Sequence, residues 1–141
     1  MNAVTQEVVA LLQKRKETIT FAESISGGAL TSELVSVPGA SHVLNGSVIT
    51  YSNQSKIDEL SVPANLISDF GVVSEEVAIA MAQGVRAKFA ASWAVSTTGV
   101  AGPGPSHGVE AGTVWRDRES VRRGAVESAV GVLARILSSQ Q

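Results

Sequence analysis

Three times in this chain a short β-rich run stops abruptly in a turn of small residues, and helical patterns fill the intervals between the runs. Thr18-Ile19-Thr20-Phe21-Ala22 gives way to Ser24-Ile25-Ser26-Gly27-Gly28. Val48-Ile49-Thr50-Tyr51 gives way to Ser52-Asn53-Gln54-Ser55, and Trp93-Ala94-Val95-Ser96-Thr97 runs into Gly99-Val100-Ala101-Gly102-Pro103-Gly104-Pro105. Strands alternating with helices over the whole length predict a three-layer α/β/α sandwich. At 141 residues, with no repeat, linker or low-complexity stretch, the chain reads as one domain over residues 1–141.

The helices follow from apolar spacing. Val4, Val8, Leu11 and Leu12 predict an amphipathic helix over about residues 2–16. Ser26 is placed to cap a helix carrying Leu30 and Leu34, which Pro38 and Gly39 stop. A short helix over residues 56–60 ends before Pro63, and a further turn carries Leu66, Ile67 and Phe70. Ser74-Glu75-Glu76 supplies a cap and first-turn acids for a helix with Val77, Met81 and Val85 on one face. Gly112-Thr113-Val114-Trp115 reads as a fourth strand, and Asp117 as the cap of a last helix with Val121, Ala125, Val132 and Ile136 in period. Only Arg116 separates that strand from that cap. Strand-to-helix loops ordinarily run to about 2–6 residues, so the sequence reads as if a segment has been cut out after Trp115.

Composition narrows the function. Aromatics are 4% of the chain and the net charge is −2, which weighs against base-stacking nucleic-acid readers and against binders of DNA or anionic membranes. There are no cysteines, so disulfide scaffolds, thiol catalysis and thiolate metal sites are excluded. The chain has no apolar run of membrane-spanning length and no signal-peptide pattern, so the expected location is cytoplasmic. His42 and His107 lack metal-ligand spacing.

Four segments could carry chemistry. The Ser24–Gly28 turn leads into a helix start, where free N–H groups can hold a phosphate or an oxyanion and Ser24 could be a nucleophile. The plainer account is a capped helix with glycines for close packing. Pro38-Gly39-Ala40-Ser41 reads on its own as a helix stop. Tyr51-Ser52-Asn53-Gln54-Ser55-Lys56 and Thr97-Thr98-Gly99-Val100-Ala101-Gly102 follow strands, where open α/β sheets place ligands. With no His–Asp pair beside the serines, Lys56 is the available base. It can serve only as a neutral amine. Bringing a lysine from about 10.4 to about 7–8 costs roughly 3–5 kcal/mol at ~1.36 kcal/mol per pH unit. The fold must therefore bury it.

Taken together and in order, these segments are specific. Ala22-Glu23-Ser24-x-Ser26-Gly27-Gly28, Val37-Pro38-Gly39-Ala40-Ser41, Thr50-Tyr51-Ser52-Asn53-x-x-Lys56, Gly71-x-Val73-Ser74-Glu75, Thr98-Gly99-x-Ala101-Gly102-Pro103 and Gly112-Thr113-Val114 closely resemble the CinA C-terminal domain family, the nicotinamide-nucleotide amidases. The resemblance implies hydrolysis of the carboxamide of nicotinamide mononucleotide to nicotinate mononucleotide and ammonia, in pyridine-nucleotide recycling, with no metal or organic cofactor. It implies Ser24, Ser41 and Lys56 as a Ser/Ser/Lys catalytic set, leaving open which serine attacks. It implies Gly39, Tyr51 and Thr98 in substrate binding and Arg118 on the nucleotide phosphate, with Gly27 and Gly28 as an oxyanion hole or a substrate-anion site. The partner is thus a small nucleotide, and the assembly a homodimer or higher homo-oligomer.

Two departures stand out. Ile25 replaces the cysteine usual after the first serine, and relatives carry further residues between Trp115 and Asp117, including another strand. Either a sheet strand after Trp115 is missing from the fold or a segment is missing from the sequence. The competing expectation is a non-catalytic nucleotide- or partner-binding domain that keeps the fold without turnover.

Overall fold

A computed structural model of the chain describes residues 2–100 and 118–140, apart from the side chains of 118–125. The strand expected at Gly112, the Asp117 cap, His107 and the Trp115 junction lie outside the described residues.

The strands are β1 (Ile19–Glu23), β2 (Leu44–Ile49) and β3 (Trp93–Thr97), joined in one parallel sheet of order β2-β1-β3. The helices are α1 (Ala3–Arg15), α2 (Ala29–Val35), α3 (Asn53–Leu60), α4 (Ala64–Phe70), α5 (Glu75–Phe89) and α6 (Arg118–Ser139). Every residue of β1 is buried, as a central strand covered on both faces must be. Strand alternation then divides the core. Ile19 and Phe21 pack with Leu12, Leu30, Leu34 and Leu133 under α1, α2 and α6. Ala22 faces the other way and packs with Leu60, Val77, Met81 and Val85 under α3 and α5. The expected three-layer α/β/α architecture is the one observed.

Local chemistry explains most boundaries. Asn2 caps α1 through a 3.0 Å bond from Val4 N, and Lys16 closes it in the left-handed conformation. Ser52 and Ser55 form a capping box that starts α3 at Asn53, three residues before the expected start. Ser74 caps α5 as expected, its Oγ accepting from Val77 N at 3.3 Å.

Three expectations need correction. Strand β2 begins at Leu44 and ends at Ile49, earlier than the Val48–Tyr51 run suggested. Ser26 does not cap α2, whose first residue follows Gly28 and whose N-terminal N–H groups meet a carboxylate. In α6 the buried line is Val126, Val130, Leu133, Ala134 and Leu137, whereas Val132 and Ile136 are 45% and 41% exposed. Two apolar stripes share this helix, both at helical spacing, and packing against α1 and α2 selects between them.

Candidate active site

In the parallel register Glu23 pairs with Ile49 on one side and with Thr97 on the other. The three strands therefore end together, and Ser24, Thr50, Tyr51 and Thr98 emerge along one edge of the sheet. This is the carboxyl edge, where open α/β sheets bind ligands.

Ser24 leaves β1 on the same face as Ala22 and meets α3 there. Lys56, in the first turn of α3, reaches back so that its Nζ lies 3.0 Å from Ser24 Oγ and 2.6 Å from the Thr50 carbonyl oxygen. Lys56 is 1% exposed and Ser24 9%. Burial pushes the Lys56 amine below the usual lysine range, with desolvation as the cause. A neutral amine carries two hydrogens and one lone pair. With one hydrogen on Thr50, the lone pair can face the Ser24 hydroxyl. That is the arrangement a serine nucleophile and its base require. The Thr50 hydroxyl, also buried, has no hydrogen-bond partner among the described residues.

The loop after β1 is held from the opposite face. The Glu23 carboxylate is wholly buried and accepts from Ser26 Oγ at 2.6 Å, Gly28 N at 3.0 Å, Leu30 N at 3.0 Å and Thr31 N at 2.8 Å. Thr31 Oγ1 adds a fifth bond at 2.5 Å. Gly28 N is therefore taken, and Gly27 N donates to the Ser24 carbonyl at 3.1 Å. The anion at this helix start is the protein's own Glu23, which corrects the expectation that Gly27 and Gly28 would offer their N–H groups to a substrate.

The remaining expected residues divide by edge. Tyr51 is 58% exposed beside the Ser24–Lys56 pair, and Thr98, half-buried, donates to the Val72 carbonyl at 3.0 Å. Arg118 opens α6. The far end of that helix lies near the opposite edge, where Arg15 reaches the Leu137 carbonyl at 3.5 Å, so α6 starts on the side of the site. Ser41 and Gly39 are placed differently. They precede Leu44, which pairs with Ile19 at the start of β1, and Gly39 accepts from Gln13 of α1 at 3.1 Å. At about 3.3 Å per residue, the five residues of β1 put Ser41 on the order of 15 Å from Ser24. Within one chain, Ser41 does not join the Ser24–Lys56 pair.

Sequence reasoning gave no role to Glu23, Thr50 or Thr97. The available signal was a glutamate ending a mostly apolar strand, just before a turn rich in serine and glycine. Among the described residues, no group of His, Asp or Glu side chains is arranged to hold a metal ion, and no helix is long and apolar enough to cross a membrane.

The family model of the CinA C-terminal domain matches residues 1–117. The chain is 52% identical over 92 residues to a CinA-like protein of Prochlorococcus marinus subsp. pastoris, covering 65% of this chain and 21% of that protein. It is 46% identical over 108 residues to a CinA-like protein of Fervidobacterium nodosum, covering 76% of this chain and 26% of that one. The chain thus spans about a fifth to a quarter of the length of the curated relatives it matches. Solved structures align over nearly the full length. The competence-damaged protein (CinA) superfamily protein of Klebsiella pneumoniae 700603 superposes with a TM-score of 0.91 at 28% identity, covering 96% of both chains. The competence/damage inducible protein CihA of Agrobacterium tumefaciens gives a TM-score of 0.86 at 26% identity, covering 98% of both. With its sequence matched over most of its length and its fold shared with these structures, the chain belongs to the CinA C-terminal domain family.

Proposed function

We propose that this chain is an amidohydrolase that converts nicotinamide mononucleotide to nicotinate mononucleotide and ammonia, with Ser24 as nucleophile and Lys56 as base. The observation that carries this reading is the buried lysine amine 3.0 Å from a serine hydroxyl at the carboxyl edge of the sheet. The chemistry uses groups of the chain itself. Ser24 Oγ adds to the carboxamide carbon as its proton passes to Lys56 Nζ. The tetrahedral adduct then breaks its C–N bond, and the same proton goes to the departing nitrogen, so ammonia leaves and an ester on Ser24 remains. Water, deprotonated by the amine, attacks that ester and frees nicotinate mononucleotide and Ser24. In this reading Tyr51 and Thr98 border the substrate and Arg118 takes its phosphate, for which a guanidinium fork is well shaped. The second serine of the expected relay is left out, because Ser41 lies at the other edge.

The test is incubation of the purified protein with nicotinamide mononucleotide while ammonia and nicotinate mononucleotide are measured. Release of both in equal amounts, lost in Ser24→Ala, is the expected result. Tight binding without ammonia release would instead establish a non-catalytic nucleotide-binding domain. A homodimer belongs to the same proposal, and light scattering at micromolar concentration measures it directly.

A further inference from the structure

Among the described residues, Glu23 is the one charged side chain besides Lys56 that is wholly buried, and capping alone is a poor reason for it. Taking a carboxylate out of water costs several kcal/mol before its partners compensate. A seven-residue helix such as α2 can be capped by a serine or an asparagine at far smaller cost. What a serine could not do is reach every part of the loop at once.

Glu23 does so through both its side chain and its backbone. Its carboxylate takes the hydroxyl of Ser26, and Ser26 Oγ lies 2.6 Å from Thr97 Oγ1. Thr97 in turn holds Ser24 N, through its carbonyl at 3.0 Å and its Oγ1 at 3.3 Å. On the other side, the Glu23 carbonyl accepts from Thr50 N at 2.8 Å, and the Thr50 carbonyl holds Lys56 Nζ. The Ser24 backbone is thus three hydrogen bonds from the Glu23 carboxylate, and the Lys56 amine two from the Glu23 carbonyl. Because side chains alternate across a strand, the carboxylate itself points to the α2 face, away from the amine.

We infer that Glu23 is a positioning residue, whose carboxylate fixes the Ser24–Gly28 loop and with it the Ser24 hydroxyl against Lys56. The inference rests on the reading of Ser24 and Lys56 as nucleophile and base, though not on the identity of the substrate.

The test compares wild type with Glu23→Gln, which keeps shape and removes the charge, and with Ser26→Ala, which breaks the link to Thr97 while leaving Glu23 in place. Two rates are read: ammonia release from nicotinamide mononucleotide, and labelling of Ser24 by a fluorophosphonate, located by peptide mass spectrometry. Circular dichroism and melting establish that each variant is folded at the assay temperature. Glu23→Gln is expected to lower both kcat and the labelling rate by on the order of 10–100-fold with KM within about threefold, the scale of a ~1 Å misplacement. Ser26→Ala is expected to lower both in the same sense by about threefold to tenfold, and decides the matter if Glu23→Gln does not fold. If the wild type labels at Ser24 but releases no ammonia, the substrate assignment fails and a lowered labelling rate in the variants still supports Glu23. Folded variants that label and turn over at wild-type rates overturn the inference. So does a wild type that never labels at Ser24.

Discussion

The carbonyl oxygen of Thr50 lies 2.6 Å from Lys56 Nζ, closer than the Ser24 hydroxyl at 3.0 Å. Thr50 follows the last residue of β2, so the sheet itself sets where the lysine head sits. An amine anchored this way, when neutral, can turn its lone pair towards Ser24.

Replacing Lys56 with alanine is therefore expected to lower kcat for ammonia release by about 10²–10⁴-fold, the usual contribution of a positioned base, while KM stays within about threefold. Lys56→Arg should fail as badly, since a guanidinium stays protonated near neutrality and cannot take the serine proton. An arginine variant with near-wild-type turnover would rule out the Ser/Lys mechanism.

Burial lowers the Lys56 amine below its usual range, and this sets the sign of two pH effects. Turnover should rise with pH through the amine's apparent pKa and level off above it. Between the folded value and the ordinary lysine value of 10.5, the unfolded chain binds the proton that the folded chain does not. Stability therefore rises with pH across that window. Thermal melts of wild type and Lys56→Met from about pH 7 to about pH 10 should show the difference in Tm moving in favour of wild type. A constant difference would mean that the amine is protonated in the folded protein throughout.

Ser41 gives a sharper test of the site than any residue within it. It lies beside the start of β2, whereas Ser24 follows the end of β1. Ser41→Ala should keep kcat within about twofold, the range of a substitution outside the reacting geometry. Ser24→Ala should lose measurable turnover. A folded but inactive Ser41→Ala protein would mean that the second serine reaches the site from another copy of the chain, and mixing it with Ser24→Ala would then restore activity.

How much of this was legible beforehand depended on the range of the interaction. The strand ending at Thr97, the Ser74 cap and the stripe of Val77, Met81 and Val85 are local, and spacing alone places them. The need to bury Lys56 also followed from its chemistry, and Leu60, Ala22 and Met81 form the apolar cluster beside it. Register was not legible. Whether Ser41 stands near Ser24 depends on Leu44 pairing with Ile19, a contact between residues far apart in sequence. Glu23 was missed for a related reason. A glutamate looks solvated until α2 is seen to start over it, with Gly28, Leu30 and Thr31 all donating to it. The two stripes of α6 were equally apolar, and only packing against Leu12 and Phe21 chose the buried one.

The base depends also on how α3 is seated, and Gly84 of α5 packs directly against the last residue of α3. A Cβ built on Gly84 would stand 1.9 Å from the Leu60 carbonyl oxygen, which is backbone and cannot swing aside. Leu60 ends α3, one helical turn beyond Lys56. Gly84→Ala must therefore push α3 outward, at an overpacking cost of about 1–3 kcal/mol that outweighs the ~1 kcal/mol an alanine gains in helix propensity. The expected result is a Tm lower by several degrees and, below that Tm, a kcat reduced by on the order of tenfold with KM little changed. Gly131→Ala in α6 is the control, because among the described residues nothing lies within 4 Å of its new methyl. That variant should melt at or above the wild-type temperature and keep its kcat. If Gly84→Ala behaves as Gly131→Ala does, the seating of α3 on α5 is not what holds Lys56 against Ser24.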